Sequence, residues 1–148
     1  MKTLYENIKV QKCNNFMTAM VDGTNYPASG SYIDVGNFAN CAFLIEMGTT
    51  TTACVFQVQQ CTAATDGTPK NLTSATLTPT DADDNDTFII EFATENLDVA
   101  NDYHYVSLDC SGAAGGDDYA CITFLGWNAR EAPVTQGSDV SANVVVAG

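Results

Sequence analysis

From Tyr32 onward the chain alternates apolar and polar residues, and turn formers break the alternation at intervals. Cys41, Phe43, Ile45 and Met47 fall on one face of an extended segment, with Ala42, Leu44 and Glu46 on the other. Strict period-two alternation of this length marks a half-buried strand. The same pattern predicts strands at residues 32–35 and 53–60; in the latter, Cys54, Phe56 and Val58 oppose Val55, Gln57 and Gln59. Gly48 and the run of threonines after it predict a turn that makes 53–60 the partner of 41–47. Further strands are predicted at 72–77, 88–93, 103–110, 119–127 and 143–147, and one helical turn or a loop at 95–101.

No sustained helical period occurs. The predicted fold class is therefore all-β: an antiparallel β-sandwich or jelly-roll-like domain of about seven or eight strands, with extended N- and C-terminal arms. Residues 1–31 hold no regular period and are rich in turn formers, so they read as an arm with one strand near residues 8–12. Residues 32–130 form the sandwich and 131–148 a tail. The tail opens at Pro133 and runs polar as far as Val144, Val145 and Val146. A short β-branched stretch of this kind either adds a strand to a neighbouring sheet or pairs within its own.

Charge narrows the function classes. The formal net charge is −13 over 148 residues, and it is unevenly placed. Lys2, Lys9 and Lys12 face only Glu6 in the first dozen residues, whereas Lys70 and Arg130 stand against every other acid. An anionic body repels phosphate backbones and anionic lipid, so neither direct nucleic-acid binding nor a membrane partner is expected. The basic start is either an arm that touches an acidic surface or a solvated terminus. Glu6, Asn7 and Lys9 occupy the place of a leader's apolar core, and no apolar run approaches a membrane span. Synthesis in the cytoplasm is the expectation.

The six cysteines admit 15 pairings. Most alternate with large apolar residues, as buried free thiols do. One pair is a disulfide candidate: a hairpin about Gly115-Gly116 sets Cys110 across from Cys121.

Candidate chemistry is sparse. His104, the one histidine, shares strand parity with Val106 and Leu108, which predicts a core or half-buried ring. No nucleophile elbow, phosphate loop or zinc motif accompanies it, so an enzyme is not expected, nor a cofactor. Asp81, Asp83 and Asn85 match the first, third and fifth places of a calcium loop. The sixth place holds Asp86 instead of glycine and the twelfth Phe92 instead of glutamate. The segment reads as a solvated loop, with a weak, irregular Ca²⁺ site as the alternative. Tyr103, Tyr105, Tyr119 and Trp127 either stack on a ligand such as a carbohydrate or pack in the core and interfaces.

The segment Tyr26-Pro27-Ala28-Ser29-Gly30-Ser31-Tyr32-Ile33-Asp34-Val35, followed by Cys41-Ala42-Phe43-Leu44-Ile45-Glu46-Met47-Gly48, resembles small structural proteins of tailed-bacteriophage heads. Phe56-Gln57-Val58-Gln59-Gln60, Lys70-Asn71-Leu72-Thr73, Leu97-Asp98, Tyr105-Val106 and Arg130-Glu131-Ala132-Pro133-Val134-Thr135-Gln136 continue the resemblance. It implies a capsid decoration (cement) or auxiliary protein: a homotrimer on the outside of the virion, with the major capsid protein as partner. Lys2, Lys9, Lys12 and Val144–146 are then the expected contact residues. A neck, tail or head-fibre component and a carbohydrate-binding adhesin-like sandwich are the alternatives.

Overall fold

The computed structural model describes residues 3–15, 18–51, 53–65, 68–113 and 118–141, apart from the side chain of Asp81. In chain order the elements are a one-turn helix α1 (Leu4–Asn7) and strands β1 (Lys9–Lys12), β2 (Thr24–Tyr26), β3 (Ile33–Asp34), β4 (Phe38–Met47), β5 (Val55–Cys61), β6 (Lys70–Leu77), β7 (Thr87–Ala93), β8 (Tyr105–Ser111) and β9 (Ala120–Ala129). Short 3₁₀ turns occupy Asp81–Asp83, Thr94–Asn96 and Val99–Asn101.

The strands form two antiparallel sheets, β1-β9-β4-β7 and β2-β8-β5-β6, with β3 also on β8. The all-β sandwich predicted by the alternation is the fold observed. Apolar residues at every second position of β4, β7 and β9 meet those of β5 and β8 in one core. At its centre Phe43 lies 6.2 Å from Phe92, nearly parallel, and 5.5 Å from Phe124, edge to face. Gly126 has no side chain because the Phe38 ring stands where one would go; a Cβ there would sit 2.9 Å from Phe38 Cγ.

Connectivity departs from the predicted hairpins. β5 does not pair with β4: β4 lies between β7 and β9, while β5 lies between β6 and β8. The loop after Gly48 therefore crosses from one sheet to the other. β8 and β9 are likewise in different sheets, so Cys110 pairs with Phe56 and Thr24, and Cys121 with Glu46. The Cys110–Cys121 register expected from a hairpin is not formed, and both are free thiols. Its turn, Gly115-Gly116, is outside the described residues.

The first thirty residues are not a separate arm. β1 pairs with β9 from Lys9↔Gly126 to Lys12↔Thr123, and β2 pairs with β8. Met20, Tyr26 and Cys13 belong to the core. The strand expected near residues 8–12 is β1. The described part of the tail also turns inward: Val134 is buried, its N–H donates to Glu6 O, and the Gly137 N–H donates to Val10 O.

Phe43 has rings on two sides and no exposure. Phe43→Ala should lower unfolding free energy by about 3–5 kcal/mol, measured by urea denaturation, through lost burial and the cavity left behind.

Candidate functional site

Two sheets packed face to face bring edge strands side by side at each flank. At one flank β7 ends the first sheet and β6 the second. Between them lies a cleft of about 440 Å³ lined by Leu72, Ser74, Glu91, Phe92, Asn96 and Leu97, among others. Leu72, Phe92 and Leu97 are buried and form its apolar floor.

The two walls are built differently. β6 is broken by a bulge, where Ser74 takes φ of 65° and the pairing with β5 slips between Gln57 and Gln59. The Gln57 side-chain amide fills the gap, donating to Leu72 O at 2.9 Å and Ala75 O at 3.0 Å. β7 is regular, paired with β4 from Thr87↔Glu46 to Ala93↔Asn40. The Met47 N–H donates to Asp86 O, which sets the phase of the ladder. Phe88, Ile90 and Phe92 then bond inward to β4, and Thr87, Ile89, Glu91 and Ala93 point their amides and carbonyls away from it. Asn96 Oδ1 accepts the Ala93 N–H at 3.2 Å. Among the described residues no strand covers Ile89 and Glu91 on this side, and the Ile89 side chain is 63 % exposed.

A charged frame closes the end of the cleft. Lys70 pairs with Asp98, and its ammonium lies 4.0 Å from the centroid of the Tyr103 ring. Asp98 also accepts from Asn101 Nδ2 at 2.9 Å, and its backbone N–H donates to Gln60 Oε1 at 2.8 Å. The Lys70 hydrogen bond, then Asn101, hold the Asp98 carboxyl below its ordinary value. The face of Tyr103 considered for ligand stacking thus carries Lys70. Tyr105 lies against the His104 ring, 4.6 Å between centroids.

A second pocket, of about 520 Å³, is lined by Met47, Tyr119, Cys121 and neighbours. Nearby, fully buried Asp118 accepts from the Thr51 N–H at 2.6 Å and from Thr50 Oγ1 at 3.1 Å. Asp84 accepts the Thr50 N–H at 2.8 Å. These acids tie down the start of the loop that crosses between the sheets.

The other predicted residues are placed as follows. Asp83 accepts from Thr80 N at 2.8 Å and Thr80 Oγ1 at 3.0 Å, and Asn85 sits at φ of 65°. Asp83 is thus turned to its own turn's backbone, and among the described residues no three His, Cys, Asp or Glu side chains gather in a metal-binding group. The side chain of Asp81 is outside the described set. His104 is half-buried, with Nδ1 2.9 Å from Asp102 O. Burial pushes the thiols of Cys13, Cys41 and Cys110 up to about 12, which keeps them protonated at neutral pH. The thiol beside Cys110 is that of Cys54.

At the opposite flank, β1 carries Lys9 and Lys12. Lys9 is half-buried, and burial lowers its ammonium's pKa against the pull of Asp34. Lys12 is exposed and reaches Asn15 Oδ1 at 3.4 Å. Here Gln136 joins the two ends of the chain. Its Oε1 accepts the Val10 N–H at 2.8 Å, and its Nε2 donates to Tyr5 O and Ile8 O, both at 2.7 Å. Lys2 and Val144, Val145 and Val146 are outside the described residues. Nothing local in the sequence marked Gln136 or Gln57, whose partners are set by tertiary structure. No helix among the described residues is long and apolar enough to cross a membrane.

Set beside known proteins, the chain matches no family model, no curated sequence and no solved structure.

Because the folded carboxyl of Asp98 sits below its ordinary value of 3.8, its contribution to stability is present above that pH and is lost as pH falls through the folded value. Lys70→Met should destabilise the protein at pH 7 in urea titrations, and the deficit should shrink in acid below pH 3.8 to the part owed to the Tyr103 contact. An equal deficit at both pH values would remove the ion pair as its cause.

Proposed function

We propose that this chain is a non-enzymatic structural protein that attaches, as a homo-oligomer, to the outside of a tailed-phage capsid by contact with the major capsid protein. The observation that carries this reading is the Gln136 junction. It brings the basic first strand and the described start of the tail side by side at one sheet edge, the place from which the expected contact residues are reached. A decoration protein needs such a place: a rigid body that stays apart in solution, and adjacent segments that engage a lattice.

Charge supports the same reading. Lys9 and Lys12 lie on the edge strand of an otherwise anionic body, so an acidic lattice surface would attract that edge and repel the rest. Thiols raised by burial and a histidine held at a loop carbonyl suit a structural role better than nucleophilic chemistry. The resemblance to phage head proteins, which runs over roughly residues 24–136, supplies the identity of the lattice.

Density-gradient fractionation of the native source should place the chain with capsids, at a stoichiometry near that of the shell protein. Lys9→Glu combined with Lys12→Glu should weaken rebinding to stripped capsids, more so at low salt. A few copies per particle would move the reading to the neck or tail. Recovery only outside particles, with binding on a glycan array, would replace it with the adhesin.

A further inference from the structure

The sandwich manages three of its sheet edges. At β1, the Val10 N–H is taken by Gln136 and the Val10 carbonyl by the Gly137 N–H. The outer side of β8 is covered by two short pieces, β2 and β3. β6 is bent by its bulge and begins at Lys70. Short, bulged or covered edges resist pairing with other chains. β7 has none of these features among the described residues: it is seven residues long and in unbroken register, with Ile89 exposed and Thr87, Ile89 and Glu91 facing outward with amide and carbonyl. Beside it opens the cleft floored by Leu72, Phe92 and Leu97.

A strand added to β7 would bond to the outward groups of Thr87, Ile89 and Glu91. Its alternate side chains would lie over that apolar floor. The occupant is therefore an extended segment with apolar residues for the floor and no acidic ones, since the body it approaches is strongly anionic. Residues 143–147, Asn143-Val144-Val145-Val146-Ala147, have this character, and no charged residue follows Asp139.

The segment cannot reach β7 of its own domain. Gly137 lies outside β1, and a strand beyond β7 is five strand spacings from it, about 24 Å. The turn closed by the Val140 N–H on Gly137 O spans under about 7 Å, and Val140 to Asn143 adds at most about 11 Å. We infer that residues 143–147 of a second copy of this chain add as a strand to the free edge of β7 and cover the β6–β7 cleft. Donor and acceptor lie on opposite edges of one sheet, so the contact is head to tail and builds a ring if the rotation closes. This specifies the homo-oligomer of the proposed function.

The test compares the full chain with one ending at Ser141, by light scattering after size exclusion across a range of concentrations. A synthetic peptide of residues 141–148 is titrated into the shortened protein. The full chain should show a multiple of the monomer mass, and the shortened chain the monomer mass with an unchanged circular dichroism spectrum. The peptide should bind the shortened chain and fail to bind its Ile89→Lys or Ile89→Pro variant. The Ile89 N–H is not used by β4, so the proline removes no bond of the native ladder. Equal masses with and without the tail, or a peptide that binds regardless of residue 89, would overturn the inference. The outcome is separable from capsid attachment: a tail-dependent oligomer absent from particles keeps the β7 site and removes the decoration role, and a tail-independent protein on capsids does the reverse.

Discussion

The pairing of β4 with β9 is the constraint on which the remaining structure depends. It runs from Phe38↔Ala129 to Met47↔Ala120 and puts Phe43 directly opposite Phe124. A slip of one residue would turn every inward side chain of one strand to solvent. The register is thus held by the core it builds, and Gly126 allows the Phe38 ring to cross it. With β4 and β9 in place, β7 joins the outer side of β4, and β1 the outer side of β9.

That arrangement separates the two ends of the first sheet chemically. The β1 end is finished from within the chain at Val10: Gln136 and Gly137 take its outward N–H and carbonyl and tie the N-terminal turn to the tail. At the β7 end, beside an apolar cleft, no strand among the described residues covers the edge. A sheet edge is costly to leave bare when its residues are apolar, because it templates association. That cost is the physical basis of the strand addition inferred for β7.

Buried Asp118 and several half-buried polar groups serve the connections. Asp118 holds the threonines that start the crossing between sheets, and Gln57 fills the bulge of β6. Lys70, Asp98 and Tyr103 brace the 3₁₀ turns that follow β7. Loops that change sheets expose backbone groups no ladder can satisfy, and side chains from distant strands meet that need.

By itself the sequence determined the strands and the fold class. Period-two alternation depends only on which face of a strand is buried, and it located β4 through β9 to within a few residues. It also determined the anionic body and the buried thiols, since both follow from composition and parity. It did not determine which strand pairs with which. β4 with β5, and β8 with β9, looked like hairpins because their turns are short and rich in turn formers, yet in a sandwich such a turn serves as well to cross between sheets. The Cys110–Cys121 pairing depended on that choice and went with it. Of the irregular first thirty residues only the strand near residues 8–12 was legible; β2 was not, because three residues are too short to show a period, and its pairing with β8 makes it a strand. The bare edge of β7 and the Gln136 junction were decided by tertiary structure alone, for whether a strand is central or at an edge depends on neighbours far away in the chain.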